Sequence, residues 1–132
     1  MQMTAASTCG RLVATLAGLW LTVGFAWAQE DSPIQPEPAT LAPLADQSLL
    51  LDVIPYNGGY IAVGERGHVL LSDDGQSWRQ SEKVPVNSTL TRATSVDRRI
   101  WAVGHDSAII SSIDGGTTWF VQHYDAEAEE PL

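Results

Sequence analysis

Apolar positions in this chain gather into short runs separated by turns rich in Gly, Asp and Asn, and the whole arrangement occurs twice. In the first copy Leu50 to Ile54 forms a largely apolar run, Asn57-Gly58-Gly59 follows as a turn, and Tyr60 to Val63 returns as the next strand. Asn-Gly between apolar runs is a strong hairpin signal because both residues tolerate positive φ. Glu65-Arg66-Gly67 then makes a tight turn, His68 to Leu71 reads as a third strand, and Asp73-Asp74-Gly75-Gln76 leads into Trp78. The second copy offers Leu90 to Val96, a polar turn at Asp97-Arg98-Arg99, Ile100 to Val103, Ser107 to Ser111, and Asp114-Gly115-Gly116 before Trp119. A helical solenoid would need amphipathic runs of about 10–15 residues uninterrupted by such glycines. The chain beyond Ala28 holds none, so the pattern predicts an all-β fold.

The repeat is regular, with a period of about 40 residues. Gly64 returns as Gly104 and Trp78 as Trp119, and the second copy runs one position longer between its glycine and its tryptophan, an insertion that a hairpin turn tolerates. Upstream, Leu49 to Ile54 returns as Leu90 to Val96, and Ala128 to Leu132 echoes Ala45 to Leu49. Three or four short strands in that period are the mark of a β-propeller blade. The boundaries expected are a first repeat at 49–89, a second at 90–131, and a third beginning near 132. A propeller closes with at least about four blades, and a repeat array needs about three units for stability. The expectation is therefore two units of an incomplete propeller, the opening segment of something longer, with open blade edges through which copies self-associate.

The repeated box has a structural logic. In Ser112 to Trp119 a short Asp114 side chain accepts N–H bonds across its own turn, glycine takes the positive-φ position, and tryptophan packs between neighbouring units. The structural residues expected are Gly64, Asp74, Gly75 and Trp78 in the first copy and Gly104, Asp114, Gly116 and Trp119 in the second. Either Asp73 or Asp74 fits the capping position of the shorter first box, and the contact with Gly75 favours Asp74.

Residues 1–28 change the picture of where the chain works. A single base, Arg11, precedes an apolar run from Leu12 to Ala28 that ends in Ala26-Trp27-Ala28, the small-x-small pattern of a signal-peptidase site. The expectation is a cleaved signal peptide and export, to a periplasm or, in a photosynthetic organism, a lumen; the competing reading is an uncleaved membrane anchor. Cys9, the only cysteine, lies in that leader, so no disulfide is expected in the mature chain. From 29 to 48 the chain reads as a proline-rich, acidic linker, with Pro33, Pro36, Pro38 and Pro43, expected to be a flexible or polyproline-like arm. Beyond Ala28 stand sixteen acids against six bases, a formal charge of −10. Nucleic acid and anionic bilayers are poor partners for that balance.

Candidate chemistry is sparse. His68 and His105 fall in turn-to-strand regions of successive copies but at different repeat positions and without a third ligand, so they and His123 read as ordinary surface or hairpin histidines rather than a metal site. Tyr60 and Trp101, beside the Ala-Val-Gly segments, read as core packing rather than a recognition surface. Asp125, Glu127, Glu129 and Glu130 read as part of a loop between units, not a metal site. Asn87-Ser88-Thr89 fits a glycosylation pattern that a bacterial-type leader makes moot. The chain has no phosphate loop, dinucleotide fingerprint, metalloprotease motif or nucleophile elbow. No cofactor, no metal and no enzyme activity are expected.

With its leader, the Ala-Val-Gly segments at 62–64 and 102–104 and the Asp-box turns at 72–78 and 112–119, the chain resembles bacterial homologues of the photosystem II stability and assembly factor, a seven-bladed propeller family grouped with the Asp-box, or bacterial neuraminidase, repeats. The likeness covers residues 49–132. It implies a non-catalytic scaffold that binds a protein partner, an assembling membrane complex on the lumenal side. An arginine-rich patch supports docking in photosynthetic members; here Arg98 and Arg99 are the only adjacent basic pair. Asp boxes also occur in sialidases, which makes a carbohydrate-active propeller the alternative. Tyr56, Arg66, Asp73, Asp74, Arg92 and Asp97 are the candidates for such a site, and no spacing singles them out.

Overall fold

The computed structural model describes residues 34–128. The expected signal peptide with Cys9, the first residues of the expected linker and the third repeat expected to begin near 132 lie outside them. The described chain is all-β apart from two short 3-10 turns, at Ala45–Gln47 and Glu65–Gly67. Strands β1 (Leu50–Tyr56), β2 (Gly59–Gly64), β3 (Val69–Ser72) and β4 (Arg79–Gln80) form one four-stranded antiparallel sheet in chain order. A second sheet repeats that order with β5 (Leu90–Val96), β6 (Arg99–Gly104), β7 (Ile109–Ser112) and β8 (Phe120–His123).

The first hairpins of the two sheets share their irregularities, while only the second sheet adds a register shift at Ile109/Ile110. Each first strand shifts register between its first and third residues, Leu50/Asp52 in β1 and Leu90/Arg92 in β5. The hairpins turn through left-handed residues at the same offset, Asn57 (φ 51°) and Asp97 (φ 56°). The Ala-Val-Gly segments end in glycine for want of space. A Cβ on Gly64 would be driven into the Leu49 carbonyl, and one on Gly104 into the Thr89 carbonyl. There the incoming chain crosses the end of the second strand and is fastened by Glu65 N–H to Leu49 O (3.0 Å) and His105 N–H to Thr89 O (2.9 Å).

The third strands start later than the sequence pattern predicts, at Val69 and Ile109 rather than His68 and Ser107. The preceding residues close tight turns instead: His68 N–H bonds Glu65 O (2.9 Å) and Ala108 N–H bonds His105 O (3.0 Å).

Strand alternation divides each sheet into two faces. Ile61, Val63, Val69 and Leu71 project from the first sheet into one core with Leu90, Ala93, Ile100, Ala102, Ile110 and Trp119. Polar bonds stitch the same junction, with Ala93 N–H donating to Asp52 Oδ2 (2.8 Å) and Ser81 Oγ–H to Thr117 O (3.1 Å). The opposite face of the first sheet carries Ala62 and Leu70, with Leu50 and Trp78 packed beside them.

That outer face corrects two expectations. Of the two forms expected for the stretch up to residue 48, flexible or polyproline-like, the flexible one does not hold from Ala39 onward, where the chain is fastened to the first sheet and the segment that follows it. Ala39 N–H bonds Val84 O (3.0 Å), and the Gln80 side chain accepts from Ala42 N–H (2.9 Å) while donating to Thr40 O (3.0 Å). Ala42 and Ala45 thereby cover Ala62, Leu70 and Trp78. Trp78 accordingly does not lie between the sheets. Only Trp119 does, 3% exposed, with its indole N–H on Gly116 O (2.9 Å).

Candidate functional site

The two Asp-box turns place the most strongly hydrogen-bonded carboxylates of the fold. Each follows a buried serine at the end of a third strand, and the serine oxygen pins the glycine turn: Ser72 Oγ accepts from Gly75 N–H (2.7 Å), Ser112 Oγ from Gly116 N–H (3.0 Å). Asp74, not Asp73, takes the capping position, with Oδ1 accepting from Gln76 N–H and Ser77 N–H, both at 2.8 Å. Its carboxyl is held below the usual range chiefly by the Ser77 and Gln76 backbone bonds. In the second box burial pushes the Asp114 carboxyl upward, but bonds from Thr118, Ser112 and Thr117 together outweigh it and the net shift is downward. The inserted residue shows as a second left-handed glycine, Gly115 followed by Gly116 (φ 78° and 86°), where the first box has Gly75 alone (φ 76°).

Two polar clefts open beside these boxes. One of about 240 Å3 brings together Tyr56, Tyr60, Asp73, Arg79 and Asp114. The other is lined by Tyr56, Asp97, Arg98 and Asp114. Of the carbohydrate-site candidates, Tyr56 thus meets Asp73 in one cleft and Asp97 in the other, whereas Arg66 and Arg92 line neither. Arg79, which no motif singled out, supplies the cation of the first cleft; its place directly after the box residue Trp78 was the only signal in the sequence. Among the described residues no group of His, Cys, Asp and Glu is arranged to hold a metal ion. Asp125 and Glu127 belong to a loop, where Asp125 Oδ1 accepts from Glu127 N–H (3.0 Å).

His68 departs from the surface reading. It is 4% exposed, and its Nδ1 lies 2.8 Å from Ser48 Oγ. The single Ser48 hydroxyl proton is donated to Ala45 O at 2.6 Å. Ser48 Oγ must then accept from His68, which assigns the proton of the neutral ring to Nδ1. Burial lowers the His68 pKa, with Arg66 acting in the same sense and Glu65 against it. The side chain therefore works as a fastening between the first sheet and the end of the arm.

Tyr60 and Trp101 do not pack in the core. Tyr60 is 43% exposed with its ring alongside Gly75, and Trp101 is half-buried beneath the Arg99 guanidinium, 5.5 Å from the ring centroid. The physical reason is register. Trp101 pairs with Thr94 and Ser111, on the side of the second sheet turned away from the first, together with Val103 and Ile109. On that side Val103 and Phe120 remain 39% and 55% exposed, while Ser111 is buried.

Comparison with family models, with curated proteins and with solved structures finds no match to this chain.

Proposed function

We propose that this chain is an exported, non-catalytic scaffold of the Asp-box β-propeller type, binding a protein partner in the manner of the photosystem II assembly factors it resembles and assisting a membrane-associated complex in a periplasm or lumen. The observation that carries this reading is the engagement of one oxygen, Oδ1, of each Asp-box carboxylate by its own turn. Oxygen atoms that accept from Ser77 and Thr118 backbone N–H groups maintain loop shape and have their lone pairs engaged. The repeated stacking of one four-stranded meander on the next supports reading them as blades. What such a unit presents to a partner is a rigid set of polar loops, with Tyr56, Asp97 and Arg98 at one end.

The test is genetic and biochemical. Cells lacking the chain are expected to under-accumulate a membrane-associated complex on native gels, with recovery on re-expression of the wild type and not of an Arg98→Glu variant. Unchanged complexes would overturn the scaffold reading.

The cleft that gathers Tyr56, Asp73 and Arg79 favours the sialidase-like alternative. Release of the fluorophore from an aryl sialoside by the purified protein, lost in Tyr56→Phe, would establish that alternative.

A further inference from the structure

The chain enters each sheet through a serine clasp. Ser48 and Ser88 stand two positions before β1 and β5, and the side chain of each holds the turn that joins the second and third strands of its sheet. In the second unit Ser88 Oγ–H donates to Asp106 Oδ2. In the first, Ser48 Oγ lies 2.8 Å from His68 Nδ1. An imidazole in the first clasp thus takes the part of a carboxylate in the second, and imidazole is the side chain whose charge ordinarily changes between pH 5 and 8.

The segments behind the two serines differ as much as their partners. Ser88 ends a segment that carries Val84 and Val86, both buried in the core between the sheets. Ser48 ends the arm, whose large apolar side chains Ile34, Leu41 and Leu44 are each more than half exposed. Alanines, with little surface to bury, are what the arm lays over Ala62, Leu70 and Trp78. The bonds that hold it include those of the Ala39 and Ala42 N–H groups, the Gln80 side chain on Thr40 O, and Asn87 Nδ2–H on Glu37 Oε2 (3.2 Å). A segment tied down by polar bonds over so little apolar area opens more readily than the sheet beneath it.

We propose that the arm is a strap, locked at neutral pH by the Ser48–His68 clasp and released in mild acid, so that the strip of Ala62, Leu70 and Trp78 on the outer side of the first sheet is covered or bared according to pH. The hydrogen bonds of the clasp set it for neutrality. Ser48 gives its proton to Ala45 O, so His68 donates from Nδ1, and a second proton has to enter at Nε2 of a ring only 4% exposed. Burial weighs most against the resulting cation, Glu65 favours it and Arg66 opposes it. Of the other charged side chains on elements around the turn, Asp46 of the arm, Glu82 and Lys83 of the segment joining the sheets, and Arg92 of β5 are exposed to water, while Asp52 of β1 is engaged by the Ala93 N–H. Lifting the arm lets water reach the ring and leaves the β2–β3 ladder paired.

With the arm lifted, His68 returns towards the ordinary 6.5; with the arm docked, its pKa lies below that. As pH falls through 6.5 the lifted state takes up the proton first. The ratio of lifted to docked chains then rises by about tenfold for each pH unit separating the two values, and levels off once both states are protonated. The second clasp carries no imidazole and holds over the same range.

The test is nuclear magnetic resonance of the purified chain from about pH 8 to 5, the range in which imidazole titrates. It reads the exchange of each amide, corrected for the intrinsic rate at that pH, together with the titration of the His68 ring. The Ala39 and Ala42 N–H groups are expected to lose protection several-fold as His68 takes up its proton, while the amides of the β2–β3 ladder keep theirs. In His68→Gln, which retains an N–H for Ser48 and does not titrate, the arm amides are expected to stay protected throughout. In Ser48→Ala they are expected to be weakly protected at every pH, with the His68 titration moving up towards 6.5. Arm protection that stays constant through the His68 titration would overturn the proposal. So would an acid-induced loss that His68→Gln retains, or one in which the β2–β3 ladder opens together with the arm. The readout lies in the arm and is independent of the scaffold reading, which concerns the loops.

Discussion

At the residue scale the fold depends on a few positions where an added or removed group has nowhere to go. Gly64 is extended, at φ −168°, so its requirement is room rather than left-handed freedom. Gly64→Ala and Gly104→Ala are each expected to cost about 1–3 kcal/mol, the range for forcing atoms into a packed site, read from urea unfolding. Free movement of the incoming chain away from these glycines would appear as little or no loss. His68 gives a pH dependence with a defined sign. Its folded pKa is lowered below the ordinary 6.5, so between those two values the unfolded state binds more protons. Its contribution is fully present above pH 6.5 and is lost as pH falls towards the folded value. Melting temperature is expected to fall over that range in the wild type and to flatten there in His68→Gln. Asp74 and Asp114, lowered from 3.8, act in a separate window: their stabilisation is present above 3.8 and is lost as pH falls through their folded values. The lower limb should survive the histidine substitution.

At the scale of elements, the two box tryptophans show how one motif acquires different energetic weight. Both follow an Asp-box turn, but Trp119 is enclosed between sheets and Trp78 is half-buried under the alanines of the arm. Trp119→Ala is expected to cost about 3–5 kcal/mol, as for a fully buried aromatic. Trp78→Ala should cost clearly less, because part of its ring already faces water and the arm can settle into the space. Equal losses in thermal or urea unfolding would show that the arm packs as firmly as a sheet. The first three strands of each sheet, their hairpins and the boxes were legible because their determinants are local: alternation, Asn57-Gly58, and an Asp two positions beyond a serine; the fourth strands, Arg79–Gln80 and Phe120–His123, were not, since neither run announces itself by pattern. The third strands were misplaced by a position or two because apolar runs do not reveal that His68 and Ala108 are needed to close the preceding turns.

At the scale of the molecule, one side of the second sheet is covered by the first sheet, and the outer side of the first sheet is partly covered by the arm. The period, the paired glycines, the capping aspartates and the all-β class could be read from the order of residues alone, the strands and caps because they arise from interactions spanning a few positions and the glycines because they recur one period apart. Which face of a sheet is covered, that the proline-rich arm docks, that His68 is buried against Ser48, and that Trp101 faces outward were decided by tertiary structure. Each depends on groups far apart in the chain meeting across a sheet, as Ser48 meets His68 and Asp52 meets Ala93. Alternation along a strand separates its two faces without saying what, if anything, will lie over either of them.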